Sequence, residues 1–359
     1  MMLMNLIIIE IFLQVIYRIN VGDWRVNRPE ISIYEPDDAR CYRVKPSLSY
    51  IHSSQEFRYT IYTNSQGIRT DESRPEYTYS KPENVYRVMF LGPSYVFGWG
   101  VEYENAYPTL IGRALKVDGR KIEVINMGTP AQPPDQQLCW YMKEGYKYTP
   151  DLIVQALYGD PMTKMPSVCG ELNCPSIVGG YIVRGDLTSL ELQVISKLKQ
   201  SAITYYLWRG WVTARAKGES DINGPGQELY SVMKADEYDQ VAQNLRAHAA
   251  AIKMVTRSSV RVAYLAIPYS YIIHKEDIKK MAHRKYLDPD IMRYHYNQIN
   301  KIMKDSKGIL YIDSVSALVS AGNNRMYYPV DTHLTLNGNK FVADAAAPIL
   351  QAFIDGRMD

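Results

Sequence analysis

Along this chain, short apolar runs alternate with stretches of helical period. The runs fall at 85–91, 121–127, 151–157, 259–267 and 309–313, each of a length suited to a buried parallel strand. Between them, apolar residues recur every three or four positions. Ala106, Tyr107, Leu110, Ile111, Ala114 and Leu115 share one helical face. Tyr238, Val241, Ala242, Leu245, Ala249 and Ile252 share a second, and Phe341, Val342, Ala345, Ala346, Ile349, Leu350 and Phe353 a third. This alternation predicts an α/β domain over residues 85–359, with crossover helices on a doubly wound, mainly parallel five-stranded sheet.

Two regions break the rhythm. Residues 20–84 are polar, rich in Pro, Ser and Tyr, and lack a sustained helical period; they read as an irregular or β-rich lead-in wrapping the main domain. Residues 161–235 hold two cysteines, a Gly-Gly pair, the aromatic segment Tyr205-Tyr206-Leu207-Trp208 and a Gly/Pro-rich run. An insertion of this length is expected to act as a lid or a docking surface.

The N-terminus is apolar from Met1 to Tyr17, interrupted by Asn5, Glu10 and Gln14. A spanning helix needs about 20 residues, so this stretch is short for one. It reads either as a membrane-anchor helix over 1–19 or as an amphipathic helix packed on the domain. No small-residue cleavage site follows it, which argues against a removed signal peptide. Arg18, Arg25 and Arg28 follow the helix and no basic residue precedes it, which by charge alone would leave the domain in the cytoplasm.

Composition narrows the function. A hydrophobic share of 46% supports a large core, and a net charge of +3 without a long basic run gives no footprint for nucleic acid. Thirty tyrosines against six phenylalanines suit carbohydrate contact or a protein interface, and equally a core and rim furnished with tyrosine. Cys169 and Cys174 close a short loop that invites a disulfide or leaves two free thiols; Cys41 and Cys139 stand apart. No second Cys/His pair of matching spacing follows, and His52, His248, His274, His283 and His295 lack metal spacing, so no metal site is expected.

Chemistry concentrates in two segments. Val88-Met89-Phe90-Leu91 runs into Gly92-Pro93-Ser94, a turn that can present a hydroxyl at the carboxyl edge of a sheet. Tyr328-Pro329-Val330-Asp331-Thr332-His333 puts an acid and an imidazole in one loop before a helix. Each alone is an ordinary capped turn. Together they supply a nucleophile, a base and a carboxylate to orient the base.

In that order the segments resemble the GDSL/SGNH hydrolase family, and specifically its membrane-anchored members, over most of the chain. The serine block is Gly92-Pro93-Ser94, with Phe97-Gly98-Trp99-Gly100 and Ala106-Tyr107-Pro108 after it. A second block is Asn126-Met127-Gly128-Thr129-Pro130, a third is Leu157-Tyr158-Gly159-Asp160, and the last is Asp331 with His333. The resemblance implies a flavodoxin-like sheet, catalysis by Ser94, His333 and Asp331, an oxyanion hole at Ser94, Gly128 and Gly159, and no cofactor. It also points the domain outward, into an extracytoplasmic (periplasmic) space, which is the orientation adopted.

Two positions depart from the pattern. Pro93 stands where the family has Asp, and Gly159 stands where it has an Asn whose side chain donates to the oxyanion. The side chains of Asn126 and Gln132, or a water, are the candidate replacements. Losing one donor costs roughly 10²–10³ in turnover. Two readings follow: a membrane-anchored serine esterase acting on an ester-bearing substrate such as an acetylated surface glycan, or a non-catalytic relative serving as a membrane-attached subunit or binding module, with a protein partner through the helix or the insertion.

Overall fold

The computed structural model describes residues 2–21, 24–25, 33–54, 56–158, 174–178, 181–183, 194, 198, 200–207, 210, 235–256, 260–274, 289–304, 306, 308–320 and 324–358. Its centre is an eight-stranded sheet. In chain order the strands among the described residues are β1 (Tyr34–Asp37), β2 (Cys41–Val44), β3 (Ser49–Ser53), β4 (Arg58–Thr63), β5 (Arg69–Thr70), β6 (Val85–Leu91), β7 (Lys121–Asn126), β8 (Leu152–Tyr158), β9 (Ser176–Val178), β10 (Tyr181–Val183), β11 (Arg261–Ile267) and β12 (Ile309–Asp313). The sheet runs β12-β11-β8-β6-β7-β5-β4-β3. Its parallel part, β7-β6-β8-β11-β12, has the strand order of a flavodoxin-like sheet. The strand order reverses between β6 and β8, and ligands of such sheets bind beyond the carboxyl ends at that point.

The five parallel strands stand where the apolar runs predict them. The lead-in differs from expectation. It does not merely wrap the domain: β3, β4 and β5 continue the sheet antiparallel past β7, joined through the pair Arg69↔Asn126. The sheet is therefore eight strands wide rather than five. β4 alternates exposed and buried positions, with Tyr59 and Ile61 turned inward. That pattern suits a strand covering an otherwise open edge.

Successive residues of β6 feed opposite layers. Met89 and Leu91 pack with Leu138, Trp140, Leu245, Ile252 and Ile299. These come from α4 (Pro134–Lys143), α5 (Ala235–Val255) and α7 (Pro289–Met303). Val88 and Phe90 pack with Ile111, Val342, Ala346 and Leu350. These belong to α3 (Tyr107–Ala114) and α9 (Leu336–Ile354). α2 (Ser94–Phe97), α6 (Ser270–Ile273) and α8 (Val315–Ser320) are short turns at strand ends.

Cys174 bonds to Cys41, not to Cys169, with the two Cα atoms 5.2 Å apart. Sequence proximity favours the short loop, but folding brings the β1–β2 hairpin against β9. Cys169 lies outside the described residues, and Cys139 is a buried thiol. Most of 161–235, the insertion expected to act as a lid or a docking surface, also lies outside them, as does His283.

The N-terminal helix α1 (Met2–Val21) turns Glu10, Gln14 and Tyr17 toward the insertion. Glu10 accepts the backbone N–H groups of Ala202 and Ile203 at 2.7 and 3.0 Å and the Ser201 hydroxyl at 2.8 Å. Burial pulls the Glu10 carboxyl up, but these bonds and one from Gln14 outweigh it and hold its pKa below the usual value. Ile7, Ile8, Ile11 and Phe12 remain exposed. No helix among the described residues is long and apolar enough to cross a membrane. The transmembrane expectation therefore lacks support; Asn5, Glu10, Gln14 and Arg18 are the residues that dilute the apolar run.

Candidate active site

β6 ends at Leu91 and the chain turns through Gly92 and Pro93 into α2. A Cβ at Gly92 would lie 2.3 Å from Cγ2 of Val96, so the turn needs glycine. The Pro93 carbonyl accepts the N–H groups of Val96 and Phe97 at 3.0 and 3.2 Å, and Gly98 ends the turn at φ 77°. Ser94 thus stands first in a tight helical turn at the carboxyl edge of the central strand.

Arg69, from β5, braces that turn from beneath. Its guanidinium is buried and donates to the carbonyls of Phe97, Gly98 and Val101 at 2.6, 2.8 and 2.7 Å. A cation at the carboxyl end of a helical turn is well placed against its unpaired carbonyls. Nothing in the sequence pattern marks Arg69; only the β5–β7 pairing delivers it here.

The base arrives from the other end of the chain. His333 Nε2 lies 2.6 Å from Ser94 Oγ, and His333 Nδ1 lies 2.6 Å from Asp331 Oδ1. A carboxylate only accepts, so Nδ1 carries the proton and Nε2 is the free lone pair facing the serine. The Asp331 and His333 side chains are 24% and 20% exposed, open enough for a substrate and dry enough to strengthen the pair.

A spacing of only two residues reaches this geometry because Thr332 adopts φ 70° and turns the chain between acid and base. That conformation costs a non-glycine residue about 1 kcal/mol, so neighbours must hold it. Tyr328 and His333 close the turn, with the Tyr328 N–H on the His333 carbonyl at 2.8 Å and the Thr332 N–H on the Tyr328 carbonyl at 3.0 Å. The Tyr95 hydroxyl donates to the Thr332 carbonyl at 2.7 Å. Burial, with Tyr158 and Tyr327 beside it, pushes the Tyr95 phenol well above its usual pKa, so it remains a donor. From the β3–β4 turn, Glu56 accepts the N–H groups of Val330 and Asp331. Sequence reading missed Tyr95 and Glu56; adjacency to Ser94 is the only signal for the first, and there is none for the second.

The expected oxyanion donors are placed less favourably. The Ser94 N–H has no hydrogen-bond partner among the described residues. The Gly128 N–H is already taken, donating to Asn126 Oδ1 at 3.0 Å. Gly128 serves packing: a Cβ there would lie 2.1 Å from the backbone nitrogen of Phe97. Gly159 lies outside the described residues. Of the proposed substitutes, Gln132 Nε2 is fully engaged, donating to the carbonyls of Arg40 and Tyr42 at 3.1 and 3.2 Å, while Asn126 Nδ2 donates once, to the Val96 carbonyl at 2.8 Å. In the same loop Ala131 sits at φ 61°, and its N–H has no partner among the described residues.

Aromatic rings wall the site. Tyr95 stacks on Tyr158 at 3.8 Å and lies 4.8 Å from the His333 ring, and Trp99 lies 6.1 Å from that ring. The remaining described histidines serve structure: His274 Nε2 accepts the Met326 N–H, His248 pairs with Tyr264, His295 with Tyr238, and His52 packs on Trp99. Among the described residues, no group of three His, Cys, Asp or Glu side chains could hold a metal ion.

No protein-family model matches the chain, and no curated relative matches it. Solved structures similar to it include one assigned to the G-D-S-L family of lipolytic proteins from Desulfitobacterium hafniense, at 13% identity and a TM-score of 0.38, covering 73% of this chain and 98% of that one. A catalytic mutant of an acetylxylan esterase from Geobacillus stearothermophilus matches at 12% identity and 0.38, covering 75% and 95%. A lipase/acylhydrolase from Enterococcus faecalis matches at 11% and 0.38, covering 77% and 98%. At such TM-scores and identities these likenesses decide nothing about the reaction, which rests on the site itself. The structural neighbours of this chain are lipolytic proteins and acylhydrolases of the GDSL/SGNH kind.

Proposed function

We propose that this protein is a serine ester hydrolase of the SGNH type, and the observation that carries this is the continuous hydrogen-bonded array Ser94–His333–Asp331. Ser94 Oγ attacks the ester carbonyl as its proton passes to His333 Nε2. Asp331 holds the Nδ1 tautomer and steadies the imidazolium. The imidazolium then gives its proton to the departing alkoxide, leaving an acyl-serine. A water deprotonated by His333 attacks that acyl carbon, releases the carboxylic acid and restores Ser94. The Ser94 N–H, without a partner among the described residues, is the oxyanion donor in this reading.

The substrate class is an ester on a carbohydrate, such as an acetylated surface glycan. The half-buried Trp99 beside His333, and the half-buried Tyr158 stacked on Tyr95, favour it, since flat aromatic faces suit sugar rings. Attachment to a membrane surface through the exposed apolar side chains of α1, with the domain on the extracytoplasmic side, completes the reading. The disulfide Cys41–Cys174 favours an oxidising compartment.

A specific observation keeps a second reading in view. With the Gly128 N–H committed to Asn126, the oxyanion has fewer evident donors, which favours a non-catalytic binding subunit. Labelling by a fluorophosphonate probe separates the two. Ser94-dependent labelling and hydrolysis of an aryl acetate support the esterase; a folded, unlabelled protein would leave the binding subunit.

A further inference from the structure

We propose that Glu56 is a positioning residue for the reaction, setting Asp331 against His333 from outside the α/β core; this rests on the serine-hydrolase reading above. Glu56 lies in the turn between β3 and β4, in the lead-in that precedes the domain. One carboxylate captures two successive amides of the acid-bearing loop. The Val330 N–H lies 3.0 Å from Oε1 and 3.1 Å from Oε2, and the Asp331 N–H lies 2.6 Å from Oε2. Charge-assisted bonds of this kind are roughly twice as strong as neutral ones.

The consequence is geometric. Fixing the amides of Val330 and Asp331 fixes the peptide from which the Asp331 side chain hangs, and so the reach of Oδ1 to His333 Nδ1. The far side of the same loop is held by Tyr95 on the Thr332 carbonyl. Between these two clamps lie only Asp331 and Thr332 at its positive φ, and His333 follows directly. The clamp is itself braced. Glu102 accepts the Thr60 N–H at 3.0 and 3.2 Å, the Phe57 and Tyr328 rings meet at 4.9 Å, and the Ser54 hydroxyl accepts the Glu56 N–H at 3.1 Å. Glu56 has no bond to Ser94 or His333 and is assigned no contact with substrate; it acts through Asp331.

The lead-in therefore completes the site. It supplies both Glu56, which orients the acid, and Arg69, which braces the serine turn, although neither belongs to the parallel sheet.

Two measurements on the full-length chain test the proposal. In steady-state hydrolysis of an aryl acetate, Glu56→Ala should lower kcat by about 10²-fold, the scale expected for a small misplacement of a catalytic group, with KM within about twofold. Added formate, able to reach the half-buried site, should restore part of that kcat, and Glu56→Gln, which keeps one acceptor, should fall between. In proton NMR, the downfield Nδ1–H resonance of His333 should be present in the parent, lost in Glu56→Ala and weakened in Glu56→Gln. The resonance reads the Asp331–His333 pair even if the parent hydrolyses nothing, so failure of the esterase reading and failure of this one are distinguishable. Unchanged kcat and resonance in Glu56→Ala would overturn the proposal. A loss of kcat matched by a lower melting temperature, without formate rescue, would also overturn it, leaving Glu56 a structural brace. Should Glu56→Ala not fold, Glu56→Gln carries the same two readouts, and an intact resonance there at full kcat would overturn it.

Discussion

His333 Nε2 stands 2.6 Å from Ser94 Oγ across 239 positions of sequence. The first residue of a helical turn after β6 and a residue of the loop before α9 meet over the carboxyl end of one sheet. Replacing either should remove Ser94-dependent hydrolysis of an aryl acetate to background. Asp331→Asn keeps the size of the carboxylate but favours the wrong tautomer, and a loss of about 10⁴ in kcat is expected, read by initial rates at saturating ester. A loss of less than about tenfold would leave a Ser–His dyad.

Gly128 packs against the backbone of the serine turn, where a Cβ would fall 2.1 Å from Phe97 N and 2.6 Å from Phe97 Cα. Backbone cannot give way as a side chain can. Gly128→Ala should cost about 1–3 kcal/mol, the range for overpacking, and should slow probe labelling of Ser94 by displacing the turn. Gly210→Ala, with nothing within 4 Å of the added Cβ, should change neither the melting temperature nor the labelling rate.

His248 gives the fold an acid sensitivity. It is fully buried, and its Nδ1 lies 2.8 Å from the Tyr264 hydroxyl, which itself donates to the Leu245 carbonyl. Nδ1–H must therefore donate, and Nε2 has no hydrogen-bond partner. Protonation would bury an unpaired charge, and burial lowers the pKa to about 4. Between that value and the unfolded value of about 6.5, the unfolded chain binds a proton that the folded chain does not. Stability is thus complete above about pH 6.5 and is lost as pH falls toward 4, by about 3 kcal/mol from this group. Urea melts at pH 7 and pH 5 should differ by less in a folded His248→Gln variant than in the parent.

The disulfide Cys41–Cys174 closes a loop with a separation of 133 residues. By chain entropy a loop of that size contributes up to about 5 kcal/mol. Cys41→Ser and Cys174→Ser should each lower the melting temperature by similar amounts, and reductant should do the same to the parent without adding to either variant. Peptide mapping should recover the 41–174 cross-link under non-reducing conditions. Recovery of a 169–174 link instead would contradict this pairing.

Much of the architecture was readable before folding, because it depends on local period. Five apolar runs of strand length and the helical faces of α5 and α9 report burial on one or both sides, and burial is what drives them together. The Gly-Pro-Ser turn and the Asp-x-His loop were legible as chemistry, since residue type limits what a side chain can donate or accept. What tertiary structure alone decided are the relationships between distant positions. The β3–β5 extension depends on an open edge at β7, which no stretch of the lead-in reveals about itself. The choice of Cys41 over Cys169 for Cys174 depends on a hairpin docking far along the chain. Glu56, Arg69 and Tyr95 carry no motif, because each acts on backbone carbonyls or amides, and any sequence provides those. The engagement of Gly128 with Asn126 follows from the same cause: hydrogen bonds are set by position in space, and sequence specifies position only once the whole sheet has formed.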